Sequence, residues 1–143
     1  MYILRSVPGA GKSTLAEQLA GEMGQICESD VFLINDKGEY EWTEERVFIA
    51  HKRCQQLCKE SLEAGISPIV ISNTNTTTKD VRTYRDMGIA MGYKVFVMVI
   101  ENWHNGQDSH NVKDEVKARM ERRLRDSIRL RATADADINT FSK

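Results

Sequence analysis

The stretch Ser6-Val7-Pro8-Gly9-Ala10-Gly11-Lys12-Ser13 places two glycines, a lysine and a hydroxyl at the spacing that holds phosphate. It fits G-x-x-x-x-G-K-[ST] everywhere except at Ser6, which stands where the first glycine belongs. Gly9 and Gly11 lack a Cβ, so the backbone can take positive φ and turn its N–H groups toward phosphate oxygens. Lys12 offers a point charge to the β and γ phosphates, and the Ser13 hydroxyl suits Mg²⁺. The helix that follows adds its positive N-terminal end. Serine at position 6 removes no ligand; where φ is awkward it costs about 1 kcal/mol. Pro8, Gly9, Ala10, Gly11, Lys12, Ser13 and Thr14 are therefore the expected triphosphate cradle, with Ser13 on the metal.

Two polar groups fall beyond the carboxyl ends of strands, where open α/β sheets bind their ligands. Asp30 ends the second strand segment. A carboxylate there can accept the proton of an attacking hydroxyl, or merely cap a turn. Asn73 follows the apolar run Pro68-Ile69-Val70-Ile71-Ser72. There it could reach Mg²⁺ through water, or simply bond loop backbone. Thr74, Asn75 and Thr76 add hydrogen-bonding groups without charge.

These residues need a frame. Tyr2–Leu4 reads as a strand entering the loop. Leu15, Leu19 and Met23 make a helix stripe at steps of four, ended by Gly21 and Gly24. Residues 25–30 read as a short strand and 35–42 as a turn or hairpin. Thr43 is a plausible N-cap for a helix carrying Val47, Ala50, Cys54, Leu57, Cys58 and Leu62 on one side, stopped by Gly65. Residues 68–72 form a continuous apolar run of the buried parallel kind. A helix over Val81–Met91 follows, and Lys94–Ile100 is expected to be the strongest strand. Residues 101–112 are a polar, aperiodic loop. Val112, Val116, Met120, Leu124 and Ile128 then repeat at fours on a long amphipathic helix. Strand and helix alternate, so the expected fold is α/β. It is three-layered, with a mainly parallel four- or five-stranded sheet and helices on both faces. One domain over 1–143 is expected, with a weakly ordered tail over 132–143.

The chain has 143 residues, 29% charged and 41% hydrophobic, with a net charge of −1, which excludes a bulk coater of nucleic acid. Any nucleic acid must be held locally. No apolar stretch approaches the roughly 18 residues a membrane span needs. Three cysteines at no zinc-like spacing read as buried thiols in a reducing compartment, hence the cytoplasm.

The segments SVPGAGKST, CESDVF, GEYEW, AHKRCQQL, EAGISPIVISNTNTT and MGYKVFVMVI occur in order. Together, from about Met1 to Leu124, the chain resembles the kinase domain of the P-loop polynucleotide kinase family of tailed phages and some animal proteins. The resemblance implies a P-loop kinase fold with residues 101–112 as its lid, that the loop binds ATP, and that Asp30 activates a nucleic-acid 5′-hydroxyl. It also implies that Asn73, with Thr74 beside it, contacts the acceptor. Two departures matter. Leu33 stands where the phage enzymes have an acceptor-gripping arginine three residues after the aspartate. No Lys or Arg lies between Lys94 and Lys113, where they carry a lid arginine; His104, Gln107 and His110 are there instead. Arg119, Arg122 and Arg123 are the natural substitutes, with Arg122 and Arg123 counted with Asp30 and Lys12 as catalytic. Asn75, Arg82, Arg85 and Trp103 are candidate acceptor contacts, and Trp42 divides between base stacking and packing. His51 reads as a core or edge histidine. The expected activity is transfer of the ATP γ-phosphoryl, with Mg²⁺, to a DNA or RNA hydroxyl. The acceptor is a 5′-hydroxyl end or a hydroxymethyl group on a modified pyrimidine, the latter suggesting a phage-encoded protein. A kinase of nucleosides, sugars or antibiotics, and a nucleotide-binding module without catalysis, are the alternatives.

Overall fold

The computed structural model describes residues 1–129 and 131. The expected tail over 132–143 lies outside the described residues. Strands Tyr2–Arg5 (β1), Gln25–Cys27 (β2), Ile69–Ile71 (β3) and Phe96–Val99 (β4) form one parallel sheet, ordered β2-β3-β1-β4. Helices Lys12–Ala20 (α1), Glu44–Glu63 (α2), Thr78–Ala90 (α3) and Asp114–Ser127 (α4) follow the strands or their loops. The expected α/β class is the one observed, with four strands among the described residues.

Side-chain alternation along the strands sorts the two faces. Ile3, Cys27, Ile69 and Ile71 pack with Cys54, Cys58 and Leu62 of α2 and with Val81 and Tyr84 of α3. Leu4 and Val70 point the other way, onto Ala16 and Ala20 of α1. The α1 contact is made by small residues, so that helix lies close on the sheet. Gly21, at φ 57°, ends α1, which leaves Met23 beyond the helix and 83% exposed. The expected stripe therefore stops at Leu19.

Helix starts follow the local chemistry. Thr43 Oγ1 accepts from the Arg46 N–H at 3.2 Å. Thr77 and Asp80 form a reciprocal capping box at α3. The hairpin expected over 35–42 closes with Ile34 bridged to Tyr40.

Two expectations about strands change. β2 stops at Cys27, and Asp30–Leu33 turns as a short 3₁₀ helix that swings the chain toward the hairpin. β4 is an edge strand, with Phe96 and Val97 half exposed. An apolar run reports β propensity, but not which strand ends up in the middle of the sheet. No helix among the described residues is long and apolar enough to cross a membrane.

Candidate active site

The loop between β1 and α1 has the cradle's backbone: Gly9 at φ 86° and Gly11 at φ 94°. Ser6 incurs no such strain, because its φ is not positive. It is buried, with its N–H donating to the Thr74 carbonyl at 3.1 Å and its hydroxyl to the Val7 carbonyl at 2.9 Å. Lys12 starts α1 beneath this loop. Burial pushes its ammonium below the usual lysine range, partly offset by the carboxylates of Glu28 and then Asp30.

Those two carboxylates come off the end of β2. Cys27 pairs with Ile71, and the ladder runs one step further, the Ser72 N–H donating to the Cys27 carbonyl at 2.9 Å. Glu28 therefore leaves the sheet beside Ser72. Burial raises the Glu28 pKa first and the Asp30 charge raises it further, while Lys12 and His110 oppose both. Sequence reasoning missed Glu28. The available signal was an acidic side chain directly after the Gln25–Cys27 strand, two residues before Asp30.

Asn73 lies on the cavity lining, and its side chain bonds within the fold. Its Oδ1 accepts from the N–H and the hydroxyl of Ser29, at 2.8 and 2.9 Å. Its Nδ2 donates to Tyr84 Oη at 3.3 Å and Cys54 Sγ at 3.5 Å. These bonds turn the side chain toward α2 and α3. It ties the Asp30 turn to the sheet. We expect Asn73→Ala to lower unfolding stability by about 2–4 kcal/mol in urea titrations, because buried donors lose their acceptor. Asn75 is also internal. At φ 45° its Nδ2 donates to the Leu4 carbonyl at 2.8 Å, while its own carbonyl accepts from Arg5 Nε at 2.8 Å. Thr74 remains on the cavity wall.

The loop 101–112 lies directly over the cradle. A Cβ on Gly9 would come within 2.9 Å of both the Asp108 nitrogen and the Gly106 carbonyl oxygen; one on Gly11 would lie 3.1 Å from His104. Asp108 holds this segment together. Its carboxylate accepts from the Val112 N–H at 2.8 Å and pairs with Lys117 Nζ of α4 at 2.6 Å. His110 Nε2 lies 3.4 Å from Asp30 Oδ2, and its ring stacks on Tyr40 at 4.1 Å. Burial, the Asp30 charge and a hydrogen bond to Asp30 push the Tyr40 phenol up to about 12.

Between these parts lies a cavity of about 500 Å³. Its lining includes the polar Lys12, Ser13, Glu28, Asp30, Ser72 and Asn73 and the apolar Leu33, Trp42, Val47, Val116 and Met120, with His51 among them. The structure does not bring Arg122 or Arg123 to it. Both are exposed, as is Arg119, because α4 turns Val116 and Met120 toward the cavity. Arg82 and Arg85, on α3, are also outside the lining. Trp103 is 87% exposed, donates to Glu101 Oε2 at 2.8 Å and does not line the cavity, whereas Trp42 does. A triphosphate with Mg²⁺ fits the polar part of the lining. The Ser72 Oγ is buried there without a hydrogen-bond partner among the described residues, on the same lining as Ser13.

A family model described as an AAA domain, AAA_33, matches residues 1–103. NEDD4-binding protein 2 of Homo sapiens is 35% identical over 106 residues, which are 72% of this chain and 6% of that protein. The uncharacterized protein PM0531 of Pasteurella multocida is 29% identical over 81% of this chain and 71% of its own length. Among solved structures, a candidate kinase of Chloroflexus aurantiacus superposes with a TM-score of 0.53 at 16% identity, over 69% of this chain and 58% of its own. That likeness carries the fold. The chain thus spans only a small part of the human relative and less than two thirds of the bacterial structure.

Proposed function

This chain belongs to the AAA_33 family of AAA domains, and on that premise we propose that it is an ATP-dependent phosphotransferase with an alcohol as acceptor. One observation carries the reading: the Asp30 carboxylate, its side chain 42% exposed, opens on the same cavity as Lys12 and Ser13. In the proposed reaction the acceptor oxygen attacks the γ-phosphorus as its proton passes to Asp30. The bond to the β–γ bridging oxygen breaks and ADP leaves. Lys12 and the loop amides balance charge on the β and γ phosphates. Mg²⁺, held on Ser13, would add positive charge to the same oxygens.

The acceptor we favour is a nucleic-acid hydroxyl, either a polynucleotide 5′-hydroxyl or a hydroxymethyl group on a modified pyrimidine in DNA. Trp42 and Tyr40, on the same lining as Asp30, suit a stacked base. The apolar side chains of Leu33, Val116 and Met120 favour a second reading, a small uncharged alcohol such as a nucleoside. The free thiols Cys27, Cys54 and Cys58, all buried, accord with work in a reducing compartment such as a cytoplasm. Labelled ATP offered in parallel with 5′-hydroxyl DNA, 5′-hydroxyl RNA, hydroxymethyluracil DNA and free nucleosides tests this. We expect label on a polynucleotide. Label on nucleosides alone selects the second reading, and label on none removes the transferase assignment.

A further inference from the structure

We propose that Glu28 and Ser72 form the protein's side of the Mg²⁺ site, holding metal-bound water beneath Ser13 in the role the sequence suggests for Asn73. The inference rests on the nucleotide-binding part of the reading above and adds residues to it.

The sheet register makes the case. Along β3, Val70 faces α1, Ile71 faces α2 and α3, and Asn73 bonds Cys54 and Tyr84 on that second side. Alternation then returns Ser72 to the α1 side. Along β2, Cys27 faces α2 and α3; Glu28, just past the strand's end, lies on the cavity lining with Lys12 and Ser13 of α1 and feels the charge of Glu17 on that helix. The Ser72 N–H bond to the Cys27 carbonyl keeps the two strands paired at that level. Glu28 and Ser72 thus share one cavity lining with Lys12 and Ser13 at the N-terminus of α1.

Two independent features mark this as a ligand position. The Ser72 hydroxyl, on a residue only 1% exposed, has no hydrogen-bond partner among the described residues. Such a group in a polar cavity needs a partner that is not protein. Glu28 lines the same cavity as the phosphate-binding Lys12 and Ser13, and its charge favours the Lys12 ammonium ahead of that of Asp30. Asp30 is engaged elsewhere, by His110 and Tyr40. The two acids thus divide: Glu28 toward the metal's water shell, Asp30 toward the attacking hydroxyl. Mg²⁺ keeps several waters and is held through few protein groups, so one carboxylate and two hydroxyls are a sufficient protein contribution.

The test reads nucleotide binding rather than turnover. Fluorescent ADP is titrated into the full chain with Mg²⁺ and, separately, with EDTA. For the native protein we expect tighter binding with Mg²⁺. In Glu28→Gln that enhancement falls about tenfold or more, and the EDTA affinity does not fall; loss of groups that orient a metal's ligands costs 10–100-fold. Ser72→Ala reduces the enhancement less, and Glu28→Asp restores part of it. An undiminished enhancement in both Glu28→Gln and Ser72→Ala overturns the proposal while leaving the kinase reading standing. So does an equal loss with and without metal, which would mark Glu28 as merely structural. If the native chain binds no nucleotide under either condition, the phosphotransferase reading falls and this inference goes with it.

Discussion

Asp30→Asn is expected to lower turnover about a thousandfold while ATP affinity stays within about threefold of the native value. Asparagine keeps the size and a hydrogen-bonding oxygen but cannot take the acceptor's proton. A positioned general base contributes roughly 10²–10⁴ in rate, and loss of the base with retention of shape removes most of that range. The carboxylate comes from the 3₁₀ turn after β2, which Asn73 holds through both polar groups of Ser29. The variant therefore leaves the turn in place. ATP affinity is governed mainly by the loop 8–14, so it is spared; Lys12 loses the smaller of its two favourable charge partners, the larger being Glu28. Steady-state rates on the best acceptor and fluorescent-nucleotide titrations separate the two quantities. Unchanged turnover removes Asp30 as the base. A matched loss of turnover and ATP affinity means that the turn has collapsed. A native chain that binds ATP but transfers to no acceptor would instead describe a module without catalysis.

How far the sequence revealed this site depended on whether each signal was local. The cradle was legible because each of its residues acts through its own backbone or at a fixed helical position. Thr43 and the 35–42 turn were legible for the same reason: caps and turns close within a few residues. The structural part Asn73 plays was not legible, because the face it takes is set by strand alternation against α2 and α3. The same alternation hid Ser72, and Glu28 gains meaning only when β2 and β3 lie in register. The arginine residues of α4 failed differently. Arginine density suggested a phosphate clamp, but the helix turned its apolar stripe to the cavity and left Arg122 and Arg123 to solvent. Burying Val116 and Met120 is favourable, whereas burying unpaired guanidinium groups is costly. Nothing local in residues 101–112 said where the loop would lie. Its position follows from the Asp108–Lys117 pair and the His110–Tyr40 stack, both contacts to other elements.

That lid position makes Gly9→Ala the second large effect, with ATP affinity expected to fall about a hundredfold or more. Two costs combine. At φ 86° an L side chain is strained by roughly 1–2 kcal/mol. The new methyl would also lie 2.9 Å from the Asp108 nitrogen and the Gly106 carbonyl oxygen, and both are backbone atoms that cannot swing aside as a side-chain tip does. The lid must lift or the cradle must deform, and either moves amide donors off the phosphate oxygens; an error near 1 Å in such a site costs about 10²-fold. Gly38→Ala supplies the control. Its φ of 79° carries comparable strain, but nothing lies within 4 Å of its would-be Cβ, and it sits in the hairpin away from the phosphates. Gly38→Ala should lose stability and keep ATP affinity, whereas Gly9→Ala should lose affinity beyond what strain accounts for. Calorimetric ATP titrations and thermal melts of the pair separate the contributions. Equal affinities for the two variants would mean that the loop 101–112 does not press on the cradle when nucleotide is bound.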